Sequence, residues 1–120
     1  MANILIVDDS ASMRQMIKYT LELEDHKVTE GADGSEGLKL ASNQEYDLVI
    51  TDVNMPNMDG IELTGKIRAL GGYKSTPILL LTTESAGNKK QEGRSAGATG
   101  WLIKPFDPTK LIQVVQKVLR

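Results

Sequence analysis

Cysteine is absent from the 120 residues, so the chain has no disulfide bond, no thiolate metal ligand and no cysteine nucleophile. Long apolar runs are absent as well, because the longest, residues 78–81, is far too short to cross a bilayer. The first residues lack the basic and apolar segments of a secretion signal. These absences exclude a disulfide scaffold, predict no membrane insertion and make the cytoplasm the expected location.

Charge is unevenly distributed, although the formal net charge is only −2. Residues 1–65 hold thirteen acidic and four basic residues, whereas residues 66–120 hold three acidic and ten basic residues. The basic residues are too scattered for a nucleic-acid surface, which needs a clustered stripe and a recognisable reading element. Nucleic acid is therefore not an expected partner. The composition, with 40% hydrophobic and 25% charged residues, predicts one compact domain over residues 1–120.

Two sequence patterns alternate along the chain. Segments with apolar residues at helical spacing lie between short runs rich in Ile, Leu and Val. Near-continuous hydrophobic runs are typical of strands buried on both faces, and they occur at residues 3–7, 47–51 and 78–81, with weaker ones at 26–30 and 99–103. The order βαβαβαβαβα predicts a doubly wound α/β fold, in which a five-stranded parallel sheet lies between two layers of helices.

The candidate functional residues lie at the ends of the predicted strands. In a doubly wound sheet, sites form where the carboxyl ends of the parallel strands meet. The second strand ends at Glu30 and Gly31, to which the pattern assigns no role. The other four strands bring three carboxylates, a hydroxyl group and an amine to one edge: Asp8 and Asp9, Asp52, Thr82 and Lys104.

This combination of side chains predicts a site for a divalent cation and a phosphoryl group. Three neighbouring carboxylates repel one another unless protons or a cation neutralise them. Because the ligands are oxygens, with no His or Cys beside them, they suit Mg²⁺, with Mn²⁺ as a substitute, better than zinc. Lys104 would add a second positive charge opposite the metal. Asp52 is the candidate acceptor, because aspartate is a known covalent carrier of phosphoryl groups.

Five segments of the chain resemble the receiver domains of two-component response regulators, and the likeness extends over the whole chain. They are residues 5–10 (LIVDDS), 47–52 (DLVITD), 53–60 (VNMPNMDG), 81–82 (LT) and 104–106 (KPF). The loop over residues 54–60, together with the expected absence of an output domain, is most similar to the single-domain chemotaxis regulators of the CheY type. The resemblance implies a CheY-like, flavodoxin-like fold with strand order 2-1-3-4-5.

The resemblance also implies roles for individual residues. A histidine kinase would phosphorylate Asp52, and Lys104 would pair with the phosphoryl oxygens. Asp9, Asp52 and the main-chain carbonyl of Asn54 would bind Mg²⁺, with Asp8 acting through water. The chain would be a phosphoacceptor that transfers and loses its own phosphoryl group, and not an enzyme that acts on other substrates.

Thr82 and Trp101 take the switch positions in this resemblance. After phosphorylation the Thr82 hydroxyl would hydrogen-bond a phosphoryl oxygen and vacate space into which Trp101 turns, where the family usually has Tyr or Phe. The change would bias the outer surface between two arrangements and so alter the affinity for a partner. Pro105 would follow a cis peptide bond, which is cheap only before proline.

The implied partners are a sensor histidine kinase like CheA, a flagellar motor switch protein like FliM and a phosphatase, with the chain acting as a monomer in chemotaxis. The sequence leaves open a phosphate sink or a phosphorelay intermediate. A phosphohydrolase similar to the haloacid dehalogenases would need an acid–base Asp where Asn54 stands. A flavin binder is disfavoured because Asp8 and Asp9 would repel the flavin phosphate.

The stretch over residues 84–97 predicts the fourth helix and also the weakest one. Its only apolar side chains are two alanines, and two inner glycines each cost about 1 kcal/mol relative to alanine in a helix. Helices in proteins are stabilised mainly by packing of an amphipathic face, which this stretch lacks. The last helix, with five aliphatic residues on one face, provides the contrast.

Overall fold

Five strands alternate with five helices in the structure, a computed structural model that describes residues 1–83 and 87–119, with residues 87–89 described by their backbone alone. The strands pair in parallel in the order β2-β1-β3-β4-β5, which confirms the predicted fold class and strand order. The elements are β1 (Asn3–Val7), α1 (Ala11–Glu22), β2 (Lys27–Gly31), α2 (Gly34–Asn43), β3 (Leu48–Asp52), α3 (Gly60–Arg68), β4 (Ile78–Thr83), α4 (Gly87–Ala96), β5 (Gly100–Lys104) and α5 (Pro108–Val118).

The first strand lies where it was predicted, and the boundaries of the other four differ from the predicted ones by one or two residues. The strands predicted at 26–30, 47–51 and 99–103 each lie one residue later, and β4 continues two residues past the apolar run. These ends are polar, so hydrophobicity alone misses them, but their backbones still pair within the sheet. Asp52 pairs with Leu81, and Thr83 pairs with Lys104. The polar residues at the strand ends therefore belong to the hydrogen-bonded sheet.

Two apolar cores hold the sheet, one on each face. Successive residues of a strand face opposite sides of the sheet, so β1, β3 and β4 contribute to both cores, whereas Val28 of β2 and Leu102 of β5 lie in one core only. On one face α1 and α5 pack against the sheet, and on the other face α2 and α3 do so. The side chains that carry this packing are Ile17 and Leu21 of α1, Leu111 and Val115 of α5, Ala41 of α2, and Leu63 and Ile67 of α3.

Among the residues that the structure describes, side chains cap the beginnings of four helices. Each capping oxygen accepts a hydrogen bond from the backbone N–H three residues on, which satisfies a donor that the helix itself leaves unpaired. Asp33 and Asp107 cap α2 and α5, at 2.8 Å from the N–H groups of Glu36 and Lys110. Ser10 caps α1, so this role does not fall to either of the two aspartates that precede it.

The fourth helix is found over Gly87–Ala96, whereas residues 84–86 of the predicted stretch lie outside the described residues. Within residues 90–96, Gly93 alone is buried. A β-carbon on Gly93 would lie 2.5 Å from Leu80 Cδ1 and 3.6 Å from Trp101 Nε1. This glycine therefore lets α4 approach β4 closely, a packing role that helix propensity does not reveal. The low stability of the helix stays a prediction.

A span through a membrane needs a long apolar helix. Across residues 1–83 and 87–119, none of the helices is both long and apolar enough for that purpose.

Candidate functional site

Three carboxylates meet at the carboxyl edge of the sheet. Asp8 and Asp9 follow β1 directly, and Asp52 ends β3, which is the neighbour of β1 in the sheet. Val7 pairs with Thr51, so the residues that follow each of them emerge side by side. One oxygen from each carboxylate can be chosen so that all three lie within 4.8 Å of one another. Asp8 and Asp52 are buried, whereas Asp9 is exposed.

Asp8 is buried and is fixed by contacts with several neighbouring residues. Its side chain is 0% exposed, and its backbone N–H donates to Gly31 O at 3.1 Å. The N–H of Ser10 donates to Asp8 Oδ1 at 2.8 Å, and the ammonium of Lys104 lies 3.4 Å from Oδ2. Because both carboxylate oxygens already have partners, Asp8 suits an indirect contact with a cation better than a direct one.

Lys104 crosses the edge of the sheet from β5 to reach the acidic cluster. Its ammonium nitrogen lies 3.1 Å from Asp52 Oδ1, in addition to its contact with Asp8. Its backbone is fixed by pairing with Thr83 at the end of β4. The Lys104–Pro105 peptide bond is cis, as the resemblance implied.

Burial raises the pKa of the Asp52 carboxyl above its ordinary value. The neighbouring charge on Asp8 raises this pKa further, the ion pair with Lys104 opposes the shift, and Asp9 adds a smaller increase. Desolvation and like charge therefore disfavour the ionised form of the group that would have to act as a nucleophile. A divalent cation at this edge would favour the ionised form, because it would offset both effects.

The donor set fits Mg²⁺. The cluster that the described residues offer to a cation consists of carboxylate oxygens from Asp8, Asp9 and Asp52. Mg²⁺ is usually held by one or two carboxylates and keeps several waters, and the exposed Asp9 leaves the cluster open to solvent. Asn54 is exposed two residues after Asp52, and the role of its main-chain carbonyl as a ligand stays a prediction.

Thr82 and Trp101 share one face of the sheet. Thr82 pairs with Ile103, and Leu80 pairs with Trp101, so the two switch candidates are diagonal neighbours on β4 and β5. The buried Thr82 hydroxyl donates to Thr83 O at 3.3 Å. Trp101 is half-buried, and its indole N–H is the one buried side-chain polar group without a hydrogen-bond partner in the described part of the chain. Both groups thus have hydrogen-bonding capacity that a rearrangement could use.

Two residues beside the cluster were missed by sequence reasoning. Arg14, one turn into α1, donates through Nη1 to the main-chain oxygen of Asp8 at 2.6 Å. Its Nε donates to Glu30 Oε1 at 3.1 Å, at the end of β2 that the pattern left without a role. The signal available in the sequence was the strand order, which places β2 next to β1 and so brings Glu30 beside the first loop.

Gly60 fixes the approach of α3 to the site. A β-carbon at this position would overlap the main-chain oxygen of Asp52, and the N–H of Gly60 donates to Val53 O at 3.0 Å. The first turn of α3 therefore lies directly against the backbone that presents Asp52. Only glycine allows this contact without moving one of the two segments.

Comparison with known proteins gives a consistent result. The family model described as "Response regulator receiver domain" matches residues 4–116. Among curated proteins, the transcriptional regulatory protein SrrA of Staphylococcus aureus is 36% identical over 117 residues, which are 98% of this chain and 47% of SrrA. The chain therefore spans about half the length of the curated relatives that it matches.

Two solved structures show the same architecture. The chemotaxis response regulator CheY4 of Vibrio cholerae has a TM-score of 0.95 and 50% sequence identity, with 99% of each chain covered. The receiver domain of a sensor histidine kinase from Pseudomonas aeruginosa PAO1 has a TM-score of 0.90 and 30% identity, covering 98% of this chain and 97% of the other. That second structure is described as having a magnesium ion coordinated in its active-site cleft.

Proposed function

The chain belongs to the receiver domains of two-component response regulators, and we propose that it is a phosphorylation-activated switch whose phosphoacceptor is Asp52. Receiver domains serve phosphorylation-based signalling by accepting a phosphoryl group from a histidine kinase. One observation carries the assignment of the residue. Asp52 lies within the cluster of three carboxylates and also 3.1 Å from the ammonium of Lys104. A nucleophile between an acidic cation site and a fixed ammonium is arranged for phosphoryl transfer.

The transfer step uses the chain's own residues in distinct roles. An oxygen of Asp52 forms a bond to phosphorus, while the bond from phosphorus to the kinase histidine nitrogen breaks and that nitrogen keeps the electron pair. Asp9, Asp52 and the main-chain carbonyl of Asn54 would hold Mg²⁺, with Asp8 acting through water, and the cation would neutralise charge on the phosphoryl oxygens. Lys104, already beside Asp52, pairs with an oxygen of the incoming group. Its pairing with Thr83 fixes the backbone from which it reaches.

The switch step begins with the added phosphoryl group. It brings nearly two negative charges and three acceptor oxygens to the carboxyl edge. The Thr82 hydroxyl then exchanges its bond to Thr83 O for a bond to a phosphoryl oxygen. Trp101, on the same face of the sheet, moves toward the vacated space and changes the surface that a partner meets.

A role in chemotaxis is the finer part of the proposal. It is supported by the 50% identity to CheY4 of Vibrio cholerae with 99% of both chains covered. We therefore propose a CheA-like kinase, a FliM-like motor protein and a phosphatase as partners of a monomer. The likeness to SrrA, a transcriptional regulatory protein, supports a second candidate, in which this receiver domain controls transcription. A phosphate sink or relay remains an alternative to both.

The phosphoacceptor assignment is tested with acetyl phosphate and Mg²⁺ on the full chain. The wild type should incorporate one phosphoryl group, and Asp52→Asn should incorporate none. Asp25→Asn is the matched control, because Asp25 is an exposed aspartate in the turn that precedes β2, at the opposite edge of the sheet, and asparagine tolerates its positive φ of 66°. Equal labelling of Asp52→Asn and the wild type would contradict the assignment.

The downstream role is tested by capture of partners on beryllofluoride-treated protein. Retention of a motor switch protein that depends on beryllofluoride would support chemotaxis. Retention of the kinase alone would support the phosphate sink or relay. Specific binding of promoter DNA by the complete protein in the cell would support the transcriptional candidate and contradict the chemotaxis role.

A further inference from the structure

Arg14 connects three segments that surround the acidic cluster. From the first turns of α1, its guanidinium donates to Asp8 O at 2.6 Å and to Glu30 Oε1 at 3.1 Å. Its side chain is only 18% exposed, so most of the group lies inside this junction. Arginine suits this position, because its planar fork can serve two acceptors with fixed geometry, whereas a lysine is a single point of charge.

The bond to Asp8 O fixes a particular peptide group. That carbonyl belongs to the planar unit that joins Asp8 to Asp9, so holding it fixes the direction in which the chain enters Asp9. The other contacts of Asp8 secure its carboxylate and its N–H. Arg14 therefore secures the remaining polar group of Asp8 and thereby the backbone from which the exposed Asp9 carboxylate extends.

The charge of Arg14 works against a cation in the site, so its position must be explained by geometry. A positive group beside the cluster repels Mg²⁺. Glu30 offsets this charge through its bond to Arg14, and it also receives Lys18 at 3.6 Å through its other oxygen. Because Glu30 offsets its charge, Arg14 can donate a hydrogen bond to the backbone beside the cluster with little repulsion of Mg²⁺.

We infer that Arg14, oriented by Glu30, is a positioning residue that holds the Asp8–Asp9 peptide group and so sets the affinity of the acidic cluster for Mg²⁺. This inference rests on the proposed function, which makes Asp9 a metal ligand. Outer-shell groups that orient ligands typically change metal affinity by about 10–100-fold when they are removed. Arg14 acts in this way through the backbone of its neighbours.

Titration calorimetry of the full chain with MgCl₂ at constant ionic strength tests the inference. Arg14→Gln removes both the charge and the planar guanidinium group, whereas Arg14→Lys keeps the charge but removes the guanidinium group. Both should raise the dissociation constant for Mg²⁺ about tenfold. Glu30→Gln should raise it in the same direction, because Arg14 loses its orientation and its charge is no longer offset. Lys18→Ala is the matched control, which removes a positive charge from the same ion-pair cluster and leaves the bond to Asp8.

The outcomes separate geometry from charge. If charge alone mattered, Arg14→Gln and Lys18→Ala would both tighten Mg²⁺ binding, and Arg14→Lys would leave it unchanged; that result would overturn the inference. Asp9→Asn separates the inference from its premise. If Asp9→Asn does not weaken Mg²⁺ binding, the proposed metal site is wrong. If Asp9→Asn weakens binding but all three Arg14 and Glu30 variants remain within about twofold of the wild type, only the positioning role is wrong.

Discussion

The guanidinium of Arg94 on α4 lies over the indole ring of Trp101 on β5, with its central carbon 5.3 Å from the ring centroid. Such a cation–π contact is worth about 0.5–1 kcal/mol at an exposed site. Gly93, the residue before Arg94, brings the helix close enough for this contact because it has no β-carbon. The orientation of Trp101 is therefore stabilised by a residue of the helix that borders the proposed switch.

Arg94→Ala should make Trp101 reorient more easily. Removing about 1 kcal/mol of stabilisation shifts a two-state equilibrium about fivefold. The midpoint of a beryllofluoride titration in the presence of Mg²⁺, followed by the fluorescence of this single tryptophan, should fall by up to that factor. Lys90→Ala is the control, because Lys90 is an exposed cation one turn earlier on the same helix. An Arg94→Ala midpoint equal to that of Lys90→Ala would show that the stacking does not restrain Trp101.

Lys104→Ala should destabilise the protein and do so less when Mg²⁺ is present. The substitution leaves Asp8 and Asp52 buried without the cation that now contacts both. Breaking a buried ion pair by removal of one partner costs about 3–5 kcal/mol, and bound Mg²⁺ should restore part of this loss. Urea unfolding with and without MgCl₂ measures both effects.

Lys66→Ala is the control for Lys104→Ala. Lys66 forms an exposed pair with Glu62 on α3 at 3.4 Å, and such i,i+4 pairs contribute about 0.3–0.5 kcal/mol. Its effect on the free energy of unfolding should be small and independent of Mg²⁺. A loss for Lys104→Ala that is as small as this, or that Mg²⁺ does not reduce, would contradict the role of Lys104 as the cation that compensates the buried carboxylates.

Asp52→Asn should be more stable than the wild type at neutral pH without Mg²⁺. Burial and the nearby Asp8 raise the pKa of Asp52 in the folded state above its unfolded value. Between the unfolded and the folded pKa the folded state binds more protons, so the wild type loses stability as pH rises through that window. The Asp52→Asn variant does not lose stability in this way, because asparagine does not ionise. Free energies of unfolding measured from acidic to neutral pH should therefore converge at low pH and separate as pH rises. A wild type that is more stable than the variant at neutral pH without Mg²⁺ would contradict this sign.

The sequence predicted the carboxylates and the lysine of the site because topology alone brings them together. Parallel strands end at the same edge, so Asp8, Asp52 and Lys104 could be placed without knowledge of any side-chain conformation. Arg14 and Glu30 could not be placed in the same way. Their contact depends on the reach of two long side chains from elements that become neighbours only once the strand order is known.

Local propensity was the least informative signal. Gly93 predicts a weak helix, yet the structure gives it a packing role against Leu80. The polar ends of β3 and β4 likewise fall outside the hydrophobic runs, although Asp52 and Thr82 are buried members of the sheet. In each case a tertiary contact decides the conformation, and such contacts leave no periodic pattern in the sequence.

Gly60→Ala should damage the site, whereas Gly65→Ala on the same helix should stabilise the protein. A β-carbon at Gly60 would overlap the main-chain oxygen of Asp52, whereas a β-carbon at Gly65 meets nothing within 4 Å. We expect steric strain to lower the free energy of unfolding of Gly60→Ala by about 1–3 kcal/mol. Gly65→Ala should gain about 0.5–1 kcal/mol from the higher helix propensity of alanine. Urea unfolding, together with phosphorylation by acetyl phosphate, should show both a lower stability and slower labelling for Gly60→Ala alone. Equal behaviour of the two variants would mean that α3 does not pack tightly against Asp52.

The fourth helix has the least apolar support among the helices of the described chain. Within residues 90–96 the only buried position is Gly93, which offers no side chain to the core. By contrast, α5 buries Leu111 and Val115 completely and packs Val114 and Val118 against the same core. Because packing of an apolar face supplies most helix stability, α4 should open locally at a much lower free energy than α5.

Native-state amide hydrogen exchange measures this difference directly. We expect the backbone amides of residues 91–96 to exchange through local opening, at free energies at least about 2 kcal/mol below those of residues 111–118, which should approach the global value. Trp101 contacts α4 through Arg94, so a partner that binds the surface around Trp101 would order the helix and lose part of its affinity to that ordering. Exchange from α4 should accordingly slow when a partner peptide binds, while exchange from α5 changes little. Protection of residues 91–96 equal to that of 111–118 in the free protein would show that the contacts of Gly93 and Arg94 are sufficient to hold the helix. That result would exclude the idea that α4 becomes ordered only when a partner binds.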